Sequence, residues 1–295
     1  MKNLKERLIY LILKLLLLSL QISIAGGENE SQNAEPHLSS NETIYKYYNT
    51  GVHMGIIDPE KYTFRTFLKD EQNVFRDLYA EFSSLNYSEP VGYENWLVLN
   101  NFGILPYTQE SLLQRKIAKR STADNKRRFV NTVKKGDILV TGRGVGGLIG
   151  HAAIMTTDNW VLEMPGGKGW QNGIKDNNRQ ISKHKWFDEH ASDWTTVYRC
   201  PNNAVAKAAA TWADHTYYNP SGGLKKTRHI TYKLTTDIWS TNPSYCSKLV
   251  IHAYYFGTGK RKVIKNLSVI GRLIVPSTIP SFFMNPYKLQ NKGKY

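Results

Sequence analysis

The 295-residue chain has two cysteines, Cys200 and Cys246, and only Cys246 stands where thiol chemistry is favoured. The run Asn242-Pro243-Ser244-Tyr245-Cys246-Ser247 reads as a helix start that places Cys246 in the first turn. Unpaired backbone N–H groups and the helix dipole favour thiolate over thiol there. A nucleophilic thiol also needs a base, and His151 is the candidate, opening a β-like run directly after a glycine loop. Glu163 follows twelve residues later. In an antiparallel hairpin turning at Asp158-Asn159, residues 151 and 163 come side by side. Glu163 would then orient the imidazole, as the third member of a triad does. A lone cysteine or histidine is more often a packed, inert side chain, so the weight rests on the three together.

Two weaker roles attach to the same place. The Cys246 amide and the Tyr245 hydroxyl are candidate oxyanion or substrate contacts, with core packing the alternative for Tyr245. Gly150, at the end of the glycine loop, would let a ligand approach the backbone beside His151. The loop Gly142-Arg143-Gly144-Val145-Gly146-Gly147 formally contains G-x-G-x-x-G. Its sequel, Leu148 to Met155, is β-like rather than helical, and the lysine and hydroxyl of a phosphate-binding loop are absent, so nucleotide binding is rejected. His184 and His190 are too loosely spaced to suggest a metal site, and no metal or cofactor is expected. His252 is assigned to packing. Cys200 precedes Pro201 on an expected strand and reads as buried. A Cys200–Cys246 disulfide is the alternative in an oxidising compartment, and it would remove the nucleophile.

The elements that must position these groups are legible in outline. After Lys135-Gly136-Asp137, a turn, come β-rich runs at 138–141, 152–155, 160–162, 197–200 and 230–234. Asn202 or Asn203 caps an alanine-rich helix to about His215, and Tyr245–Phe256 is a helix closed by Gly257. Strands with unevenly placed helices indicate an α+β domain over 131–285. Upstream, 45–130 reads as mainly helical. One helix is expected from Asp58-Pro59-Glu60, with Phe64, Phe67, Phe75 and Phe82 inside. A second is expected after Thr108, holding Leu112, Leu113 and Ile117. Residues 286–295 read as a basic tail.

Gly136-Asp137-Ile138, Gly150-His151, Glu163 and Tyr245-Cys246-Ser247-x-Leu249-Val250, in this order, resemble the YiiX-type permuted papain-like cysteine hydrolases. These are circularly permuted relatives of the NlpC-type cell-wall peptidases and of the lecithin–retinol acyltransferase group. The resemblance covers about 131–285. It implies a circularly permuted papain-like fold with a mainly helical N-terminal extension, and Cys246 as nucleophile, His151 as base and Glu163 as orienting residue. Lys248 stands where that family usually carries an acid, a departure on the side expected to face substrate.

Charge bounds the partners. The chain carries +15, and 41% of its residues are hydrophobic, which excludes general disorder. Two cysteines exclude a disulfide scaffold, a four-cysteine zinc site and a cysteine-ligated iron–sulfur cluster. Lys2, Lys5, Arg7 and Lys14, an apolar run and small residues at 23 and 25 read as a signal peptide over 1–25, followed by a polar linker over 26–44. Removal of the leader would leave +12; retention would make it a membrane anchor. The segment 115–135 concentrates nine basic residues against Asp124, either a solvated face or a docking patch for a polyanion. These features lead to a secreted or envelope-bound, monomeric cysteine peptidase or amidase acting on peptidoglycan. Its partners would be an anionic wall polymer or an anionic membrane surface, not nucleic acid. The alternatives are a lipid amide/ester hydrolase or acyltransferase on the same fold, and a non-catalytic binding module.

Overall fold

In a computed structural model, residues 41–84, 91–106, 108–113, 122–142, 150–167, 169–259, 261–270 and 273–295 are described. The expected leader, most of the linker, four basic residues of the 115–135 cluster (Arg115, Lys116, Lys119, Arg120) and glycine-loop residues 143–149 lie outside them. Short runs rich in β-branched and apolar side chains build one antiparallel sheet of six strands. They are β1 (Ile138–Thr141), β2 (His151–Met155), β3 (Trp160–Glu163), β4 (Arg179–Ser182), β5 (Thr195–Arg199) and β6 (Gln290–Lys294), in the order β4-β3-β2-β1-β5-β6. Strand alternation sends Ile138, Val140, Ala152, Ile154 and Leu162 into the main core. Leu139, Ala153, Met155, Val161 and Val197 enter a second cluster on the opposite face.

The helices cover both faces. Upstream of the sheet lie α1 (Asn41–His53), α2 (Phe64–Asp70), α3 (Arg76–Ser83), α4 (Tyr93–Leu99) and α5 (Thr122–Thr132), with one π-helical turn, Glu71–Phe75, joining α2 to α3. α6 (Lys183–Glu189), α7 (Asn203–Tyr217) and α8 (Cys246–Phe256) follow. α7 and α8 bury Val205, Ala209, Ala213, Leu249, Val250 and Ala253 in the main core. Phe129 of α5 and Trp186 and Phe187 of α6 fill the other cluster. Among the described residues no helix is long and apolar enough to cross a membrane.

The α+β class agrees with the sequence, and several elements differ. Residues 41–295 form one compact unit, and one core cluster runs from Ile44 to Phe283. The helical region at 45–130 is therefore packed continuously with the sheet. Helix α2 starts at Phe64, not Asp58: Asp58 makes a turn by accepting from the Glu60 amide, and Thr63 is the cap, accepting from the Thr66 amide. Tyr62 explains the delay, because its ring is buried and its hydroxyl donates to buried Asp70. No helix follows Thr108 in residues 108–113. Ser111 also donates to Asp70 and pairs with Ile104, which drives Leu112 into the core. The run 230–234 makes only single bridges, through Tyr232 to Ile174 and Ser244. Gln290–Lys294 is no tail but the edge strand β6, closed by paired hydrogen bonds between Thr195 and Tyr295. Gly257 ends α8 with φ −75°, so no left-handed turn demands glycine there. Space does: a Cβ would lie 2.5 Å from the Trp212 Cβ.

Candidate active site

The Gly136-Asp137 turn anchors the sheet before the site begins. Gly136 has φ +88°, and a Cβ there would strike the Ala206 backbone. Its amide donates to the Met155 carbonyl and its carbonyl accepts from Tyr254 of α8. Asp137 is buried against Arg199 and accepts from the Lys134 amide. One turn thus ties β1, β2, β5 and α8 together.

β2 and β3 then set the histidine and the carboxylate. The hairpin pairs Ala153 with Glu163, Ile154 with Leu162 and Met155 with Val161, two residues displaced from the register in which 151 faces 163. The turn is centred on Asp158, one residue beyond the centre that a 151–163 pairing requires, with the Thr156 amide donating to the Trp160 carbonyl and the Thr157 hydroxyl accepting from the Asn159 and Trp160 amides. The period of two keeps His151 and Glu163 on one face as diagonal neighbours. His151 Nε2 meets Glu163 Oε2 at 2.7 Å. Arg179, directly opposite Glu163 on β4, donates its Nε to Oε1 at 2.8 Å and pairs through Nη2 with Glu189 at 2.6 Å.

Cys246 arrives from the other face of the sheet. It is the first residue of α8, with Tyr245 in the extended cap position (φ −152°, ψ 170°). The two residues beside it grip the backbone of one residue: the Tyr245 hydroxyl accepts from the Ile274 amide at 2.9 Å, and the Ser247 hydroxyl donates to the Ile274 carbonyl at 2.6 Å. That clamp fixes the helix start and the direction of the thiol. The thiol lies among His151, the Ala152 amide and the Ser247 hydroxyl, the last at 3.9 Å from the sulfur, and all three act on its charge. Nucleophile and base are almost enclosed, with Cys246 5% and His151 7% exposed.

The electrostatics follow from that enclosure. Burial pushes the Cys246 thiol up, but the hydrogen bond and charge of His151 outweigh it and hold the thiol below its ordinary value. Burial alone would lower His151; Cys246 and Glu163 beside it raise it to about 10. Burial also works to raise Glu163, and His151 and Arg179 overcome it, keeping the carboxylate ionised. These shifts favour a thiolate–imidazolium pair backed by a carboxylate, an arrangement that can attack a carbonyl carbon and return a proton to a leaving group.

All three triad candidates therefore meet. The others resolve differently. Cys246 and Cys200 are both free and buried, so no disulfide removes the nucleophile. Burial pushes the Cys200 thiol up. Tyr245 is fully buried, which makes it a clamp on Ile274 instead of a substrate contact. Gly150 has φ +92° and is packed beside Thr141 and Pro276, so it shapes the entry to β2 and offers no open backbone to a ligand. Lys248 is not on a substrate-facing surface. It is buried, its Nζ donates to the Asp237 and Pro243 carbonyls, and burial pulls it down to about 8. His252 bridges the Tyr217 hydroxyl and the Ile238 carbonyl and, buried, is lowered to about 4. Both side chains strap the 237–243 loop onto α8. The described part of the 115–135 cluster is largely engaged: Lys126 with Asp188, Arg127 with Asp124, Arg128 over the Tyr295 ring and Lys135 with Thr211.

Sequence reasoning missed Arg179, Trp186 and His190. The Trp186 ring stacks at 5.6 Å from His151 and 4.0 Å from His190. The signal for Arg179 was a strand run, Arg179–Ser182, too short to recognise without its partner β3. His151, Glu163 and His190 offer ligand atoms within 4.8 Å of one another. Both carboxylate oxygens are already taken, by His151 and Arg179, so a cation would compete with a guanidinium and an imidazolium.

A cysteine at a helix N-terminus, an imidazole on a strand and a carboxylate on the next strand make a thiol-centred triad in an α+β protein. Over residues 99–295 the chain matches, and belongs to, the family described as lipoprotein N-acylation protein LnsA-like. That stretch contains every residue of the site. An uncharacterized 30.3 kDa protein of Bacillus thuringiensis is 31% identical over 246 residues, 82% of this chain and 85% of that protein. No solved structure matches the chain.

Proposed function

We propose that the protein is a thiol-dependent acyltransferase that moves an acyl group from a lipid ester to an amine, in the service of lipoprotein N-acylation. The observation that carries this reading is the enclosed Cys246–His151–Glu163 relay. The family's description concerns N-acylation, which is acyl chemistry, and so supports the lipid alternative over cleavage of wall peptides. The chain order, histidine on β2 before cysteine at the start of α8, supports the permuted papain-like reading of the fold.

The Cys246 thiolate attacks the ester carbonyl, and its oxyanion leans on backbone N–H groups at the start of α8. The ester C–O bond breaks, and the departing alcohol takes the proton of His151. A thioester remains on Cys246. The incoming amine attacks it, gives its proton to His151, and the thiolate leaves as the amide forms. Glu163, held by Arg179, keeps the imidazole turned toward the sulfur throughout.

Incubation of the protein with a phospholipid and a lipopeptide bearing a free terminal amine tests the proposal by mass spectrometry. Expected are an N-acylated lipopeptide, a lysophospholipid and, on acid quenching, a thioester on the peptide that contains Cys246. Release of free fatty acid with the amine untouched would make the protein a lipase. Consumption of muropeptides with the phospholipid intact would restore the peptidase reading.

A further inference from the structure

The end of α8 remote from Cys246 carries a surface that the relay does not use. Trp239 is 51% exposed at the tip of the 237–243 loop, and its ring lies edge-on to Tyr255 at 6.1 Å. Tyr255 in turn lies edge-on to Phe256 at 5.0 Å. Both continue into an open groove of about 520 Å³ with Arg261, Lys262 and Met284 on its walls. Phe256 and Met284 are 36% and 38% exposed. Among the described residues no acidic side chain lines the groove, and neither Arg261 nor Lys262 forms an ion pair with a described residue.

We propose that this face docks the protein on an anionic phospholipid bilayer. Indole and phenol rings on such a ridge have an apolar body and a polar edge, the combination that settles at the headgroup level. Arg261 and Lys262 beside them, unpaired among the described residues, complement the negative surface of the membrane. A soluble polyanion would use the cations but not the rings. The loop that presents Trp239 is not left to drift, because buried Lys248 and His252 hold its Asp237, Pro243 and Ile238 carbonyls. Buried Lys248 thereby has a role: it fixes the loop that bears the exposed tryptophan. The docking face stands independently of the acyl-transfer reading.

The test is sedimentation of the full chain with phosphatidylglycerol and phosphatidylcholine vesicles, together with quenching of tryptophan fluorescence by brominated phosphatidylglycerol. Expected is salt-sensitive binding to phosphatidylglycerol, weakened about tenfold or more in Arg261→Glu/Lys262→Glu. Bromolipid should quench a component that Trp239→Phe abolishes. Cys246→Ala should bind like wild type, which separates failure of docking from failure of the chemistry. Undiminished binding by the double variant, or quenching that Trp239→Phe leaves intact, would show that another segment holds the membrane. Equal affinity for soluble polyglutamate would replace the bilayer by a polyanion. If the double variant loses thermal stability, the Trp239→Phe quenching result alone decides.

Discussion

Helix α8 has two ends that do opposite work. At its N-terminus, Cys246 is enclosed, held by its neighbours Tyr245 and Ser247 on the Ile274 backbone, and set beside a buried imidazole. At its C-terminus, about 15 Å away by helical rise, Phe256 and its neighbours are open to solvent beside Arg261 and Lys262, which form no ion pair with a described residue. The dipole suits both ends: amides at the first turn favour a thiolate, and the carbonyl end favours cations. The contrast teaches that a charged partner inside the enclosure, not burial itself, turns a cysteine into a reagent here: Cys200 is buried as well, and burial only pushes its thiol up.

Substitutions can break that contrast, and the largest effect is expected at the buried end. Cys246→Ala should lower acyl transfer by about a thousandfold or more and abolish labelling by iodoacetamide, with an unchanged melting temperature. Retained turnover would remove Cys246 from the chemistry. Glu163→Gln should cost roughly a hundredfold, and it also tests the pH profile. His151 is raised to about 10 and the Cys246 thiol is lowered. Activity should therefore rise with the depressed thiol titration on the acid side and fall as His151 loses its proton near pH 10. Removing the Glu163 charge should pull that alkaline limb to lower pH. The linkage has a matching sign. A histidine raised above its unfolded value stabilises the fold fully below about pH 6.5, and that contribution is lost as pH climbs toward 10. Denaturant midpoints measured across that window should fall less steeply in Glu163→Gln than in wild type.

Smaller effects sharpen the comparison. Arg179→Ala should slow turnover only about threefold, because the guanidinium is partly exposed and such ion pairs are screened, while moving the alkaline limb in the same direction as Glu163→Gln. An unmoved limb would mean that Arg179 does not act through Glu163. Cys200→Ala should leave turnover and iodoacetamide labelling unchanged and cost about 1 kcal/mol of stability in urea titration, the size expected for trimming a small buried side chain. The smallest effect on chemistry is expected at the far end of α8. Trp239→Phe should not alter the rate with a soluble short-chain ester, although it changes the interaction with vesicles.

How much of this was readable beforehand depends on the range of the interactions. Cys246 at a helix start, the Asn202 cap and β1, β2 and β3 follow from neighbours within a few residues, and the sequence shows them. The pairing of His151 with Glu163 was legible as a shared face but not as a register, because one residue of turn geometry shifts the partners by two. β6 was not legible: Gln290–Lys294 has no apolar alternation and is a strand only because β5 offers an open edge. Arg179 shares that fate, since its short strand exists through its partner.

The sequence by itself therefore determined the ingredients: one thiol at a helix N-terminus, one histidine on a strand, an acid on the next strand, and an excess of positive charge. Local capping and alternation are encoded in neighbouring residues, so no long-range contact is needed to read them. Tertiary structure decided what those ingredients became. It chose which cysteine is activated, because only enclosure beside His151 and the Ala152 amide offsets the cost of burying a thiolate. It turned Tyr245 into a clamp and Lys248 into a strap, because a buried polar group must find a hydrogen-bond partner, and which partner lies within reach is set by how distant segments pack.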